Sequence, residues 1–203
     1  MTDSTANEPG NIAAMQADER LKRLRADLYR LMIAYKYSYN FTWLGRPIIQ
    51  LPQDIVAMQE LLWRVKPDLI VETGIAQGGS LIFYGSMLDL ISDEGEVLGI
   101  DVEIRCHNRR EIEQHPVFKR IRMIEGSAID SHVVNKVFEI AEHKNTVMVV
   151  LDSHHTHDHV FKELELYSPL VRPGSYVVVF DTLIEDVAEL RKSGSGHNTY
   201  LET

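Results

Sequence analysis

A chain of 203 residues, 44% hydrophobic and 25% charged, is long enough for one globular domain and holds no apolar stretch that could span a bilayer. Its formal net charge of −9, with no basic block, would repel a phosphate backbone and excludes nucleic acid as the expected partner. The single Cys106 cannot form an internal disulfide and residues 1–18 show no basic-then-apolar export pattern, so a cytoplasmic setting is expected.

In chain order, residues 1–17 are small and polar around Pro9-Gly10 and read as a disordered tail. Over residues 18–35, Leu21, Leu24, Leu28, Leu31 and Met32 recur at helical spacing between charges. Residues 35–43 then carry Tyr35, Tyr37, Tyr39, Phe41 and Trp43. That segment reads as too irregular for a strand and too aromatic for a free linker. It is expected to pack against the core or against a partner subunit of a homo-oligomer, and its sharper alternative is a lid over a ligand pocket. Pro52 opens a second amphipathic helix over 53–65, with Ile55, Met58, Leu61 and Leu62 on one face, which closes an N-terminal helical and aromatic segment over 18–65.

From Lys66 the rhythm changes. Short apolar runs at 68–74, 96–101, 120–125, 146–151 and 175–180 alternate with helical stretches at 80–91, 108–115, 129–143 and 160–167. The repeated βα unit, with strands rich in Val and Ile, predicts an α/β domain over 66–190: a doubly wound, mostly parallel sheet covered by helices on both faces. Residues 191–203 read as a C-terminal tail.

Ligands of such sheets bind at the carboxyl ends of the strands, so the residue that closes each strand is the informative one. Those ends read Glu72-Thr-Gly74, Asp101, Glu125-Gly-Ser127, Asp152-Ser-His-His155 and Asp181-Thr182. The first continues as Ile75-Ala76-Gln77-Gly78-Gly79-Ser80, where glycines allow a tight turn and the next helix offers free N–H groups. Ala76 stands where a dinucleotide fingerprint needs glycine. An acid at Glu72 would repel pyrophosphate and could accept bonds from an ammonium, which suits an adenosine-and-amino-acid ligand. Asp101, closing the next strand, is placed to hold ribose hydroxyls. At the fourth end Asp152 and one of His154 and His155 offer a general base or metal ligands, Asp181 completes a carboxylate-rich site, and His157 and His159 read as solvent-facing. If Thr156 caps the next helix, His155 and His159 fall near one face. Glu185-Asp186 reads as the start of a surface helix.

Segments 39–54, 71–80, 99–105, 152–159 and 179–182 together resemble the cephalosporin hydroxylase / rhamnosyl O-methyltransferase family, a likeness that runs from about residue 35 to 186. The resemblance implies a Rossmann-like class I S-adenosylmethionine-dependent methyltransferase fold and Mg²⁺-assisted O-methyl transfer to a small-molecule hydroxyl, on a sugar or other natural product. It implies Glu72, Gly74, Gly78 and Asp101 for the methyl donor and the fourth and fifth strand ends for metal and acceptor; Ser80 and Ser127 are further donor candidates, and Asp152, His154 and Asp181 are the candidate metal ligands. His155, with Asp152, is the expected catalytic pair. Two positions depart from the family's acidic pattern: His154 stands for an expected Asp and Phe180 for an expected Glu. The expectation is therefore a weakened divalent site that prefers Mn²⁺ to Mg²⁺. Residues 191–203 are too few for the usual final strand pair, so a shortened C-terminal sheet edge is expected, with an edge covered by a partner and a truncated form as the alternatives. Three rivals remain. A catalytically impaired donor-binding domain would explain both departures, an oxidative hydroxylase lacks a His-x-Asp ligand pattern, and a nicotinamide dehydrogenase is disfavoured by Glu72 and Ala76.

Overall fold

The computed structural model of the protein describes residues 9–91 and 94–182, which fall into two units that divide after Tyr37. In the first, α1 (Pro9–Ala17) and α2 (Glu19–Ala34) are separated by Asp18, whose carboxylate caps α2 by accepting from the amides of Arg20 and Leu21. A disordered tail was the expectation for 1–17; instead Pro9–Ala17 is helical, with proline preset for the first turn and three alanines within it. Residues 1–8 lie outside the described ones. The apolar positions of α2 are fully buried nowhere, and Leu24, Leu28 and Leu31 are 57%, 56% and 60% exposed.

The second unit opens on a hairpin that the sequence reading had excluded. β1 (Phe41–Trp43) pairs antiparallel with β2 (Arg46–Ile48) across Leu44-Gly45, both at positive φ (45° and 88°), the backbone of a tight two-residue turn. The strands form because their aromatic side chains find a surface: the Trp43 ring stands edge-on to Phe83 at 4.8 Å and its Nε1 donates to Ser86 Oγ at 2.9 Å. Packing is thus the fate of Phe41 and Trp43, whereas Tyr35 stays 80% exposed.

The rest follows the βα rhythm: α3 (Pro52–Val65), β3 (Leu69–Thr73), α4 (Gly79–Ile91), β4 (Glu96–Asp101), α5 (Cys106–Glu113), β5 (Ile121–Glu125), α6 (Ser131–Ala141), β6 (Val147–Leu151), α7 (His157–Tyr167) and β7 (Val177–Val179). The five strands β3–β7 lie parallel in the order β5-β4-β3-β6-β7. Every residue of β3 and β6 is buried, as a strand covered on both faces requires. Alternation sorts them: Ile70, Met148 and Val150 join one apolar cluster with Leu62, Phe83 and Leu88, while Leu69, Val71, Val147 and Val149 join another with Val134 and Tyr167. The chain winds outward from β3 to β5, then returns to lay β6 on the other side of β3. The carboxyl end of β3, flanked by β4 and β6, is therefore the switch point where a crevice opens. The expected shortened sheet edge and the Glu185-Asp186 helix fall outside the described residues. No described helix is long and apolar enough to cross a membrane.

Candidate functional site

The loop leaving β3 is pinned from both sides. Gly74 (φ +92°) turns the chain where a Cβ would lie 2.0 Å from the Asp152 carbonyl oxygen, so only glycine fits between β3 and β6 there. Asp101 accepts from the amides of Ile75 (2.8 Å) and Ala76 (3.1 Å) through Oδ2 and from Glu103 (3.1 Å) through Oδ1. The loop's carbonyls are held by residues from elsewhere. Asn108 Nδ2 donates to Ala76 O at 3.0 Å, and the guanidinium of Arg46, only 6% exposed, bonds Gln77 O and Asn108 Oδ1 and pairs with Glu111. This frame keeps Ala76 at φ +46°, a left-handed conformation that costs an alanine on the order of 1 kcal/mol. Asp101 thus spends three of roughly four lone-pair sites on the protein before any ligand arrives.

Glu72 lies beneath the loop, not on it. It is fully buried, Ser80 Oγ donates to its Oε2 at 2.7 Å, and Oε1 has no hydrogen-bond partner among the described residues. Burial pushes its pKa up to about 8, against the opposing pull of the Ser80 bond and of Tyr84 nearby. Glu72 was expected to face a donor's ammonium; in the structure it is a buried acid that keeps its proton up to about pH 8 and is bonded by Ser80. The Tyr84 hydroxyl approaches both Glu72 and Gln50 without making a hydrogen bond of ordinary geometry with either.

The loop forms one wall of a small open cleft, lined by residues 74–80, by Pro47, Ile49 and Gln50 that follow the hairpin's turn, and by Asp152. None of residues 35–43, to which the lid alternative belonged, is among those that line it. Of the residues expected to hold a donor, Gly74, Gly78 and Ser80 line this cleft; Glu72, Asp101 and Ser127 do not. Ser127 instead accepts the Asp130 amide at 3.0 Å in the turn before α6.

At the far side, β6 and β7 deliver a second cluster. Ligand atoms of Asp152, His155 and Asp181 all lie within 4.8 Å of one another, and His155 Nε2 is 3.2 Å from Asp181 Oδ2. Asp181 is held at φ +57°, a conformation that aspartate tolerates better than most residues. Burial, then the charges of Asp181 and Glu72, raise the Asp152 pKa well above the usual carboxylate range, and Gln50 Nε2, 3.4 Å from Asp152 Oδ2, works against them. Asp54 in the first turn of α3 belongs to the same field: burial and the Asp181 charge raise its pKa. His154 does not join the cluster. Its Nδ1 meets Thr156 Oγ1 at 2.9 Å and its ring leans on His159 at 5.3 Å, so the imidazole beside the carboxylates is that of His155. The Thr156 side chain makes no cap bond, and His155 and His159 part company, His159 pairing with Glu163. His157 is exposed as expected, bonded to Asp158 and stacked on Phe161.

Arg46, Gln50, Asp54 and Asn108 were absent from the sequence-derived site. Arg46, Gln50 and Asp54 lie within the 39–54 segment that carried part of the resemblance, but nothing in their spacing marked a role; Asn108 carried no signal at all.

A parallel sheet in this order, with a glycine loop at the switch point, is a doubly wound α/β fold, and its solved neighbours make it the fold of the class I S-adenosylmethionine-dependent O-methyltransferases. Within that class the chain belongs to the rhamnosyl O-methyltransferase/CmcI family, which it matches over residues 35–201. A rhamnosyl O-methyltransferase of Mycobacterium leprae is 26% identical over 162 residues, covering 79% of this chain and 69% of that protein. The other curated relatives it matches are spanned over 64% of their length. CmcI with SAH is similar in fold at a TM-score of 0.54 and 21% identity, over 72% of this chain and 68% of that one. CmcI with Mg and SAM follows at 0.50 and 19%, over 76% and 64%.

Proposed function

We propose that the chain transfers the methyl group of S-adenosylmethionine to a hydroxyl of a sugar or another polyhydroxylated natural product. The observation that carries this reading is the juxtaposition of a rigidly held glycine loop with a carboxylate–imidazole cluster across one cleft. The first turn of α4 offers its backbone amides and Ser80 Oγ to the donor's amino-acid end, and Asp101 has capacity left for a ribose hydroxyl. Because the loop's own polar groups are already satisfied, the chain orders little on binding, and holding donor and acceptor in line removes much of the entropic barrier. In the transfer, the acceptor oxygen bonds the methyl carbon as the sulfur–methyl bond breaks, and the hydroxyl proton goes to His155. With Nε2–H donated to Asp181, the basic atom is His155 Nδ1.

The residues also fit a divalent cation, since two carboxylates and an imidazole converge within 4.8 Å. Asp152, His155 and Asp181 would hold it, and the nitrogen favours Mn²⁺ over Mg²⁺. Such a cation lowers the pKa of a bound hydroxyl and fixes its position. His155 Nε2 either binds the cation or donates to Asp181. Sensitivity of turnover to a chelator separates the two.

We assign the chain to the cytoplasm, which suits the exposed, unpaired Cys106, and to a homo-oligomer joined through α2. The test of the activity is methyl transfer from labelled donor to a panel of rhamnosyl glycosides and simple polyols. His155→Ala should abolish turnover and leave SAH affinity intact. SAH binding by the wild type with no transfer to any acceptor would make this a donor-binding domain instead.

A further inference from the structure

We propose that Glu163, wholly buried on α7, is a positioning residue that sets Asp152 and His155 through the Ser153 hydroxyl. The inference rests on the role given above to those two residues. Glu163 sits one turn before Tyr167 on the helix face turned to the sheet; both are 0% exposed, and Tyr167 belongs to the apolar cluster there. Neither packing nor helix propensity calls for a carboxylate at such a position, and burying one is unfavourable unless its oxygens are bonded. Ser153 Oγ donates to Glu163 Oε1 at 2.7 Å, and His159 Nε2 approaches the same oxygen at 3.4 Å. Oε2 has no hydrogen-bond partner among the described residues.

Ser153 stands between the two strand-end groups of the site. The backbone on its N-terminal side is fixed by the Asp152 amide, bonded to Thr73 O at 2.9 Å, and its Cα lies 3.0 Å from where a side chain on Gly74 would begin. On its C-terminal side the described contacts of the loop are local, Thr156 N to His154 O and His154 Nδ1 to Thr156 Oγ1, apart from the His154 ring on His159 and the approach of His155 Nε2 to Asp181 at 3.2 Å. The Ser153–Glu163 bond ties this turn to a rigid helix, and so fixes the direction in which His155 leaves the loop. Outer partners of this kind commonly change ligand affinity or turnover by ten- to a hundredfold when lost.

The test uses the full chain with Ser153→Ala, Glu163→Leu, their double variant and Glu163→Gln, whose amide oxygen can still accept from Ser153. Apolar replacement of a buried polar pair is often neutral for stability, so the double variant should keep the wild-type melting temperature. Loss of the tie should cut turnover at least tenfold, leave the SAH dissociation constant within twofold, and shift the imidazole resonances of His155 in nitrogen-15 spectra. Glu163→Gln should restore turnover and spectrum together. Should the wild type transfer methyl to no acceptor, the proposed function fails, while the His155 resonances still decide this point. Unchanged resonances and turnover in Ser153→Ala and the double variant, or no restoration by Glu163→Gln, would overturn it.

Discussion

Glu72 places a carboxyl group at the centre of the sheet, where water cannot reach it, and its pKa of about 8 makes stability depend on pH in an unusual direction. Unfolded, the group titrates near the ordinary carboxylate value; folded, it keeps its proton to about 8. Between those limits the native state binds more protons than the unfolded one, so stability falls as pH rises, by up to roughly 1.4 kcal/mol per pH unit. Glu72→Gln, which preserves a partner for Ser80, should flatten that slope in denaturant titrations between pH 5 and about 9. A slope equal to that of the wild type would place the protonation elsewhere. Asp101→Ala acts differently, since it releases the Ile75 and Ala76 amides as well as any ribose contact. Calorimetry should show SAH bound more weakly by about 1–3 kcal/mol, and a smaller loss would leave the loop rigid without it. The strand-end acids were legible because a parallel sheet opens its crevice at its carboxyl end, and Glu72, Asp101, Asp152 and Asp181 all stand there. Their orientations were not. Whether His154 or His155 turns inward depends on the path of a loop with no regular period, and whether Glu72 faces a ligand or the core depends on Ser80 and Tyr84 packing over it.

Among the elements, the hairpin β1–β2 and α5 act as a brace for the glycine loop, although 31 and 32 residues of chain separate Arg46 from Gln77 and Ala76 from Asn108. Such long-range pairs leave no mark in local spacing, which is why the loop itself was readable and its support was not. Arg46→Ala strips Gln77 O and Asn108 of their partner and opens a void beside β2, but Glu111 is 58% exposed and water can replace its share. The expected outcome is about 1–3 kcal/mol of lost stability in denaturant melts and SAH binding weakened by about tenfold, one 1.4 kcal/mol step. Stability lost without any effect on SAH would make the brace purely structural. The hairpin was nonetheless within reach of the sequence. Tyr37, Tyr39, Phe41 and Trp43 alternate with polar residues, the period of a half-buried strand. What concealed it was the turn: Leu44 takes φ +45°, a place where Asn, Asp or Gly would have signalled a tight hairpin. The βα repeat beyond Lys66 was plain because each run of Val and Ile is bounded by a turn and followed by a helical period, and tertiary contacts moved its boundaries by only a few residues.

For the molecule as a whole, the family match begins at residue 35, so α1 and α2 lie outside the residues that match the family. Leu21, Leu24, Leu28, Leu31 and Tyr35 recur at intervals of three and four along α2, the seam of a two-helix coiled coil, and each is more than a third exposed. A helix with such an exposed stripe gains from burying it. We propose a second copy of this chain as the occupant: the leucine spacing is self-complementary, and Asp18, Arg20, Arg25 and Asp27 flank the stripe with both signs of charge, so two copies can oppose unlike charges. Two short helices bury less surface than the roughly 1,200 Å² of a stable interface, so the assembly should be concentration-dependent, dissociating in the micromolar range or above. Light scattering over a dilution series should show the mass falling from dimer toward monomer, with the midpoint lowered in concentration by added salt only slightly if the leucines dominate and raised clearly if the ion pairs do. Leu24→Glu/Leu28→Glu places four like charges in the seam and should leave a monomer at every concentration. Because the cleft is built from residues 47–181, that variant should bind SAH as the wild type does. A wild type that is monomeric at the highest concentration, or a dimer unaffected by the two glutamates, would mean that α2 keeps its stripe for something other than a second copy of this chain.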